Sequence, residues 1–170
     1  YRLHNSFAIH PVEGKQTPAE YGLSYETKHL TTTDGKKIVA WYIPVPDPRA
    51  VVILVHGYKE TDAGRSTMLP HAKYLTDAGY STLVVSLRSF GESEGDKISF
   101  GVQEWQDAAA GYDFVTSLPE NTGKKIGYLG ISMGASIVLV TAGQTQKGDF
   151  VIAAVPYADF TRLYEFILKQ

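Results

Sequence analysis

The sequence predicts an α/β fold in which a mostly parallel β-sheet carries helices on both faces. Three observations lead to this prediction. Short apolar runs are typical of strands that are buried on both faces. Longer segments with helical periodicity alternate with these runs, as in βαβ units. The composition, 44% hydrophobic and 20% charged in 170 residues, is sufficient for one sizeable core.

The first part of the chain predicts a surface lead-in followed by a β-hairpin. Residues 1–23 are polar and irregular and contain prolines that break regular structure. Two strands, over residues 24–31 and 36–43, flank an Asp-Gly turn, which is a strong hairpin signal. The proline-rich segment 44–48 then forms a rigid connector, because prolines are excluded from the interior of a sheet.

Strands and helices alternate after this connector. No interior linker or repeat interrupts them, so we expect residues 1–170 to belong to a single domain. We expect Gly79 at the C′ position of the first helix and Ser99 as the N-cap of the second. Glu104 and Asp107 are expected on the solvated face of that second helix. The predicted strands are 50–55, 80–87, 125–129 and 150–155, and the predicted helical segments are 65–78, 99–118, 135–140 and 160–169.

Composition excludes several classes of function. A net charge of -2 gives no reason to expect nucleic acid or an anionic membrane surface as a partner. The absence of cysteine excludes disulfides, thiolate catalysis and Cys-ligated zinc. The five histidines lack the spacing of a metal site, so we expect neither a metal nor a cofactor. No run of apolar residues is long enough for a membrane-spanning helix.

A G-x-S-x-G pentapeptide, from Gly130 to Gly134, lies where an apolar strand meets an apolar helix. A serine on such a sharp turn has its hydroxyl exposed beyond the end of the sheet, and the two glycines allow close backbone approach. The N–H of Met133 then lies at a helix N-terminus, where it can stabilise an oxyanion. The pattern favours Ser132 as a nucleophile over the alternative of a simple N-cap serine.

Other motifs precede this pentapeptide in a fixed order. One apolar strand ends at His56-Gly57-Tyr58, and the next continues into Leu87-Arg88-Ser89-Phe90-Gly91. With the pentapeptide, these motifs resemble the α/β-hydrolase fold.

A narrower resemblance rests on three further segments. Thr17 to Leu23, Thr33-Asp34-Gly35 and Trp41 to Pro44 resemble the Bem46-like serine hydrolases. The resemblance extends from about Thr17 to Asp159, which is most of the chain.

The resemblance implies roles for individual residues. Ser132 matches the nucleophile, and the backbone N–H groups of Tyr58 and Met133 match the oxyanion hole. His56 matches the family's His-Gly pair, in which the imidazole holds a loop and is not the triad base. The structural glycines of these motifs are matched by Gly57, Gly130 and Gly134.

The acid and the base of the triad are not evident in this chain. In this fold both follow the serine along the chain, but no histidine follows Ser132. Asp159, after the last strand, is one candidate acid, whereas Asp149 precedes that strand at the wrong end of the sheet. We therefore expect the fold's last two strands to lie outside this chain. They would belong to a missing C-terminal segment or to a second polypeptide, and would cover the open apolar edge formed by residues 151–155.

The chain also begins at Tyr1, not at a methionine, so we expect that a preceding segment is missing. A cytoplasmic location and a membrane anchor within that segment both stay open.

The predicted function is hydrolysis of a small carboxylic ester, thioester or related acyl substrate through an acyl-enzyme on Ser132. Without the base, this chain alone is expected to be inactive. Two alternatives stay open: a peptidase of the prolyl-oligopeptidase type, which shares the serine turn, and a non-catalytic hydrolase-like module, which the missing base supports. Helical spacing favours core packing over an acyl pocket for Tyr157, Phe160, Tyr164 and Phe166.

Overall fold

The computed structural model describes residues 16–58 and 64–159, and these build a sheet with helices on both faces. Within these ranges the sheet has six strands in the order β1-β2-β4-β3-β5-β6. The pairs β1–β2 and β2–β4 are antiparallel, and the pairs β4–β3, β3–β5 and β5–β6 are parallel. This confirms the predicted fold class. The strands are β1 (Glu26–Thr31), β2 (Lys37–Ile43), β3 (Val51–Val55), β4 (Ser81–Val85), β5 (Ile126–Ile131) and β6 (Phe150–Ala154).

In the part of the chain that the structure describes, three α-helices connect the parallel strands: α1 (Leu69–Asp77), α2 (Trp105–Ser117) and α3 (Met133–Thr145). The segment predicted as one helix over 65–78 is divided, because a 3₁₀-helix (Gly64–Met68) precedes α1. Pro70 lies in the first turn of α1, where its missing N–H has no cost. The predicted helix over 160–169 lies outside the described residues.

Strand side chains alternate between two core layers. In β3, Val51, Ile53 and Val55 pack with α2 and α3, whereas Val52 and Leu54 pack with α1. All five are at most 2% exposed, which explains the continuous apolar run in the sequence. The carboxyl end of β3, from which the motif His56-Gly57-Tyr58 follows, is therefore held from both faces.

Helix α2 begins later than predicted and buries two carboxylates. Glu104 and Asp107 are both 0% exposed, so their expected position on a solvated face was wrong. The carboxylate of Glu104 accepts hydrogen bonds from the N–H groups of Ser99 and Gly101 and from the Ser99 hydroxyl, at 2.6–2.7 Å. Ser99 thus belongs to a loop that Glu104 organises, and it is not the helix N-cap. The buried face of the helix follows the spacing Glu104, Asp107, Ala108, Gly111 and Val115.

Asp107 is part of a buried ion network that spans distant parts of the chain. Arg88 donates hydrogen bonds to Asp107 (2.8 Å) and to Asp34 in the β1–β2 turn (2.8 Å). Burial raises the pKa of Asp107 to about 6, whereas the hydrogen bond from Arg88 lowers the pKa of Asp34 to about 2. The network fixes the hairpin turn, α2 and the segment after β4 relative to one another.

The end of the predicted lead-in is more ordered than expected. Residues Pro18–Tyr21 form a 3₁₀-helix, and Thr17 and Glu20 form a capping box at its start. Leu23 is 7% exposed and packs in the core layer of α1. Residues 1–15 lie outside the described part of the chain.

Strand β6 is at the edge of the described sheet. Among the described residues it pairs with β5 alone, and Ile152 is 49% exposed. That further strands cover this edge stays a prediction. No helix in the described ranges is long and apolar enough to cross a membrane.

Candidate active site

Ser132 lies at the sharp turn between β5 and α3. Its φ of 54° and ψ of -119° form a backbone conformation that L-residues rarely adopt, at a cost of about 1–3 kcal/mol. The turn is held because the Ser132 N–H donates to the Ala154 carbonyl on β6 at 2.9 Å. The side chain is exposed and makes no capping hydrogen bond to α3, which disfavours a simple N-cap role. Strained turns of this kind present a serine hydroxyl to substrate.

Two glycines let the main chains at this turn pack more closely than any side chain would allow. A Cβ atom on Gly130 would overlap the carbonyl of Gly134, and one on Gly134 would overlap the carbonyls of Val55 and His56. The start of α3 is therefore seated against the end of β3. This contact brings Ser132 next to the loop that follows β3.

We expect Gly134→Ala to destabilise the protein by about 1–3 kcal/mol, because the added methyl group must displace backbone atoms. Misplacement of the turn by about 1 Å is also expected to lower the rate of fluorophosphonate labelling about 100-fold. Thermal denaturation and labelling kinetics measure the two effects.

The matched control is Gly143→Ala in the same helix, where an added methyl group meets no atom within 4 Å. There we expect a stabilisation of up to about 1 kcal/mol and unchanged labelling. Equal effects at both glycines would contradict the packing argument.

The expected oxyanion donors lie on the two segments that flank Ser132. A Cβ atom on Gly57 would lie 3.2 Å from the Ser132 Cβ, so the backbone at 57–58 runs alongside the serine. Met133 is the first residue of α3, and the N–H of a first helical residue has no acceptor within its own helix. The geometry thus brings together the serine and both segments predicted from sequence.

His56 is completely buried and is held by backbone groups. Its Nδ1 lies 2.7 Å from the carbonyl of Gly57, and its Nε2 accepts the N–H of Leu87 at 3.1 Å. Burial lowers the pKa of His56 to about 4, so the ring is neutral near pH 7. Because both ring nitrogens are occupied, the ring supports the loop after β3 and leaves no nitrogen for Ser132.

Arg65 anchors the chain just beyond the loop that follows β3. Its guanidinium lies 4.0 Å from the centre of the Trp41 ring and donates to Glu92 at 2.9 Å. The side chain is 8% exposed, and a cation over an aromatic face is more strongly bound when water is excluded. Sequence analysis did not identify this residue, because its two contacts, Trp41 and Glu92, come from separate parts of the chain.

A cavity of about 260 Å³ opens beside the serine, lined by Gly57, Tyr58, Thr67, Met68, Ile131 and Ser132. Sequence analysis did not identify Thr67, Met68 and Ile131 as lining residues. Met68, for example, fits the pattern of a helical core residue, and nothing in the local sequence distinguishes it from one. Tyr157 does not line the cavity, and its hydroxyl donates to the Phe100 carbonyl. The other aromatic residues considered for an acyl pocket lie outside the described residues.

None of the three histidines within the described ranges lines this cavity. His56 is engaged as above, and His71 is exposed on α1. His29 lies on β1, four strand spacings or roughly 19 Å from β5.

Asp159 is exposed beyond the carboxyl end of β6, and Asp149 at the opposite end accepts the N–H of Ile126. The prediction that the acid and the base of the triad lie outside this chain stays a prediction.

Comparisons with known proteins agree with this architecture. The family model of the X-Pro dipeptidyl-peptidase (S15 family) matches residues 34–166. The esterase Pf2001 from Pyrococcus furiosus has a similar structure, with a TM-score of 0.82 and 26% identity over 95% of this chain and 65% of its own.

Two curated relatives match different shares of the chain. The uncharacterized protein YfhR from Salmonella typhimurium is 31% identical over 91% of this chain and 50% of its own length. The polyketide transferase claH from Penicillium crustosum is 36% identical over 50% of this chain and 28% of its own length. The chain thus spans half or less of these two relatives. The narrower resemblance to Bem46-like hydrolases stays a prediction. Since the family model covers most of the sequence, the chain belongs to the X-Pro dipeptidyl-peptidase (S15) family of α/β hydrolases.

Proposed function

We propose that the protein is a serine hydrolase that cleaves a carboxylic ester or a related acyl bond through an acyl-enzyme on Ser132. The observation that carries this proposal is the strained, exposed serine turn beside the backbone of Gly57 and Tyr58. Strain at one residue is tolerated when function requires its geometry. The solved esterase with the same fold supports the same chemistry.

In the proposed reaction, the Ser132 oxygen attacks the carbonyl carbon of the ester while a base accepts its proton. The carbonyl oxygen becomes an oxyanion, which the N–H groups of Tyr58 and Met133 stabilise. One such donor contributes about 3–4 kcal/mol to lowering the barrier. The C–O bond to the leaving group then breaks, and the leaving alkoxide takes the proton from the base. Water repeats the sequence on the acyl-enzyme and releases the acid.

A peptidase is the second candidate, because the matching family is described as an X-Pro dipeptidyl-peptidase. Such an enzyme binds a free α-ammonium group, which requires a carboxylate or several carbonyl acceptors near the serine. The described residues that line the cavity include no carboxylate. The ester is ranked first because the solved esterase Pf2001 has the same fold, with a TM-score of 0.82.

The two candidates are separated by activity of the intact protein on p-nitrophenyl butyrate and on an X-Pro p-nitroanilide. We expect kcat/KM for the ester to exceed that for the anilide at least about 100-fold. Comparable hydrolysis of the anilide would favour the peptidase. No turnover of either substrate, with no labelling by a fluorophosphonate, would favour the non-catalytic module.

A further inference from the structure

The residues that line the cavity beside Ser132 differ in exposure. Ser132 is exposed, whereas Met68 is 1% exposed and lies at the start of α1, within the core layer on that face. Both residues line the same space. Because Met68 is the buried one of these two residues, its side chain is taken as the floor of the cavity.

The residues that line the cavity are suited to an uncharged group. None of the six described lining residues is charged. The hydroxyl of Thr67 is engaged, because it donates to the Gly64 carbonyl at 2.6 Å. Ile131 supplies an aliphatic wall, and the Tyr58 ring packs 5.7 Å from that of Phe100, measured between ring centres. An ionised substrate group would lose part of its hydration here without gaining a partner of opposite charge among these side chains.

The volume indicates the size of the group that fits inside the cavity. A cavity of about 150 Å³ lined by apolar side chains is sufficient for a benzene molecule. The space of about 260 Å³ next to Ser132 is larger than that, but it is smaller than most sites for drug-sized ligands. An acyl chain of up to about eight carbons fits this range.

We propose that this cavity holds the acyl part of the substrate and that Met68 determines the acyl length that the enzyme accepts. The proposal rests on the proposed function, since it takes Ser132 as the acylated residue. The expected substrates are esters of short to medium-length carboxylic acids whose acyl chain carries no charged group. Met68 is suited to this position because its flexible, unbranched side chain fills an irregular space at the floor.

The test measures kcat/KM of the intact protein on p-nitrophenyl esters from acetate to laurate, with active enzyme counted by fluorophosphonate titration. Met68→Ala lengthens the cavity and is expected to raise the laurate-to-butyrate ratio of kcat/KM about tenfold or more. Met68→Phe shortens the cavity and is expected to move the preference toward acetate. If the alanine variant does not fold, the phenylalanine variant still tests the proposal in the opposite direction.

Leu69→Ala is the matched control. Leu69 is 0% exposed and packs in the same core layer, but it does not line the cavity. Its truncation is expected to lower the melting temperature and to leave the chain-length profile unchanged. An unchanged profile in both Met68 variants, or an equal shift in Leu69→Ala, would overturn the proposal. The proposed serine hydrolase function is tested separately on the wild type. If the wild type is labelled by the fluorophosphonate and hydrolyses the esters, that function stands even when the proposal for Met68 fails. If the wild type is neither labelled nor active, the serine hydrolase function itself is rejected.

Discussion

Replacing Ser132 with alanine is expected to abolish covalent labelling of the intact protein by a fluorophosphonate. It is also expected to lower kcat for ester hydrolysis by a factor on the order of 10⁶. The physical reason is that Ser132 is the nucleophile of the proposed reaction, and the remaining oxyanion donors and binding contacts cannot form an acyl-enzyme. Labelling is measured by intact mass, and the residual rate is measured on p-nitrophenyl butyrate. Both measurements depend on the hydroxyl alone, since an alanine introduces no new atom at the strained turn.

Ser117→Ala is a suitable control for this experiment. Ser117 is exposed at the end of α2, and its hydroxyl bonds only to the Phe114 carbonyl of its own helix. Labelling and turnover of this variant are expected to match the wild type. Persistent labelling of the Ser132 variant would mean that another residue is the nucleophile, and the proposed mechanism would then be wrong.

Replacing Arg88 with methionine is expected to destabilise the protein by about 3–5 kcal/mol, because it leaves the fully buried carboxylate of Asp107 without its cation. For a protein of this size the melting temperature is expected to fall by about 6–20 °C. Thermal and denaturant-induced unfolding measure the effect. The loss should grow as the pH rises above about 6, which is the pKa of Asp107 with Arg88 in place, because removal of Arg88 raises that pKa further. Below about pH 6 the loss should be smaller, because Asp107 is then protonated in both proteins and has no charge to compensate.

Two comparison variants distinguish this effect from a general loss of ion pairs. Lys147→Met removes an exposed pair with Asp113 and is expected to change stability by no more than about 1 kcal/mol. The double variant Arg88→Met with Asp107→Leu is expected to regain part of the stability, since it also removes the buried charge. If the double variant were no more stable than Arg88→Met alone, burial of an unpaired carboxylate would not be the cause.

Local patterns predicted most of the secondary structure. The apolar runs of β3 and β4 and the Asp-Gly turn between β1 and β2 were found where the sequence indicated them. These predictions succeeded because strand burial and turn conformation depend on residues a few positions apart. The start of α2 was wrong because Ser99 was taken as its N-cap. The positions of Glu104 and Asp107 were wrong because charge alone was taken to place them in solvent. A buried carboxylate is stable when donors surround it, and its donors cannot be identified from the helix itself.

By itself the sequence determined the order of strands and helices, and it identified Ser132 at the turn between β5 and α3. Both follow from short-range sterics, because glycine spacing and apolar periodicity restrict the backbone locally. Only the tertiary structure decided that Arg88 joins Asp34 and Asp107, and that Thr67, Met68 and Ile131 share a cavity with the serine. These contacts join residues that are far apart in the chain, so they depend on which strands pair and which helix faces pack. Such choices are made by the whole core and not by any one segment.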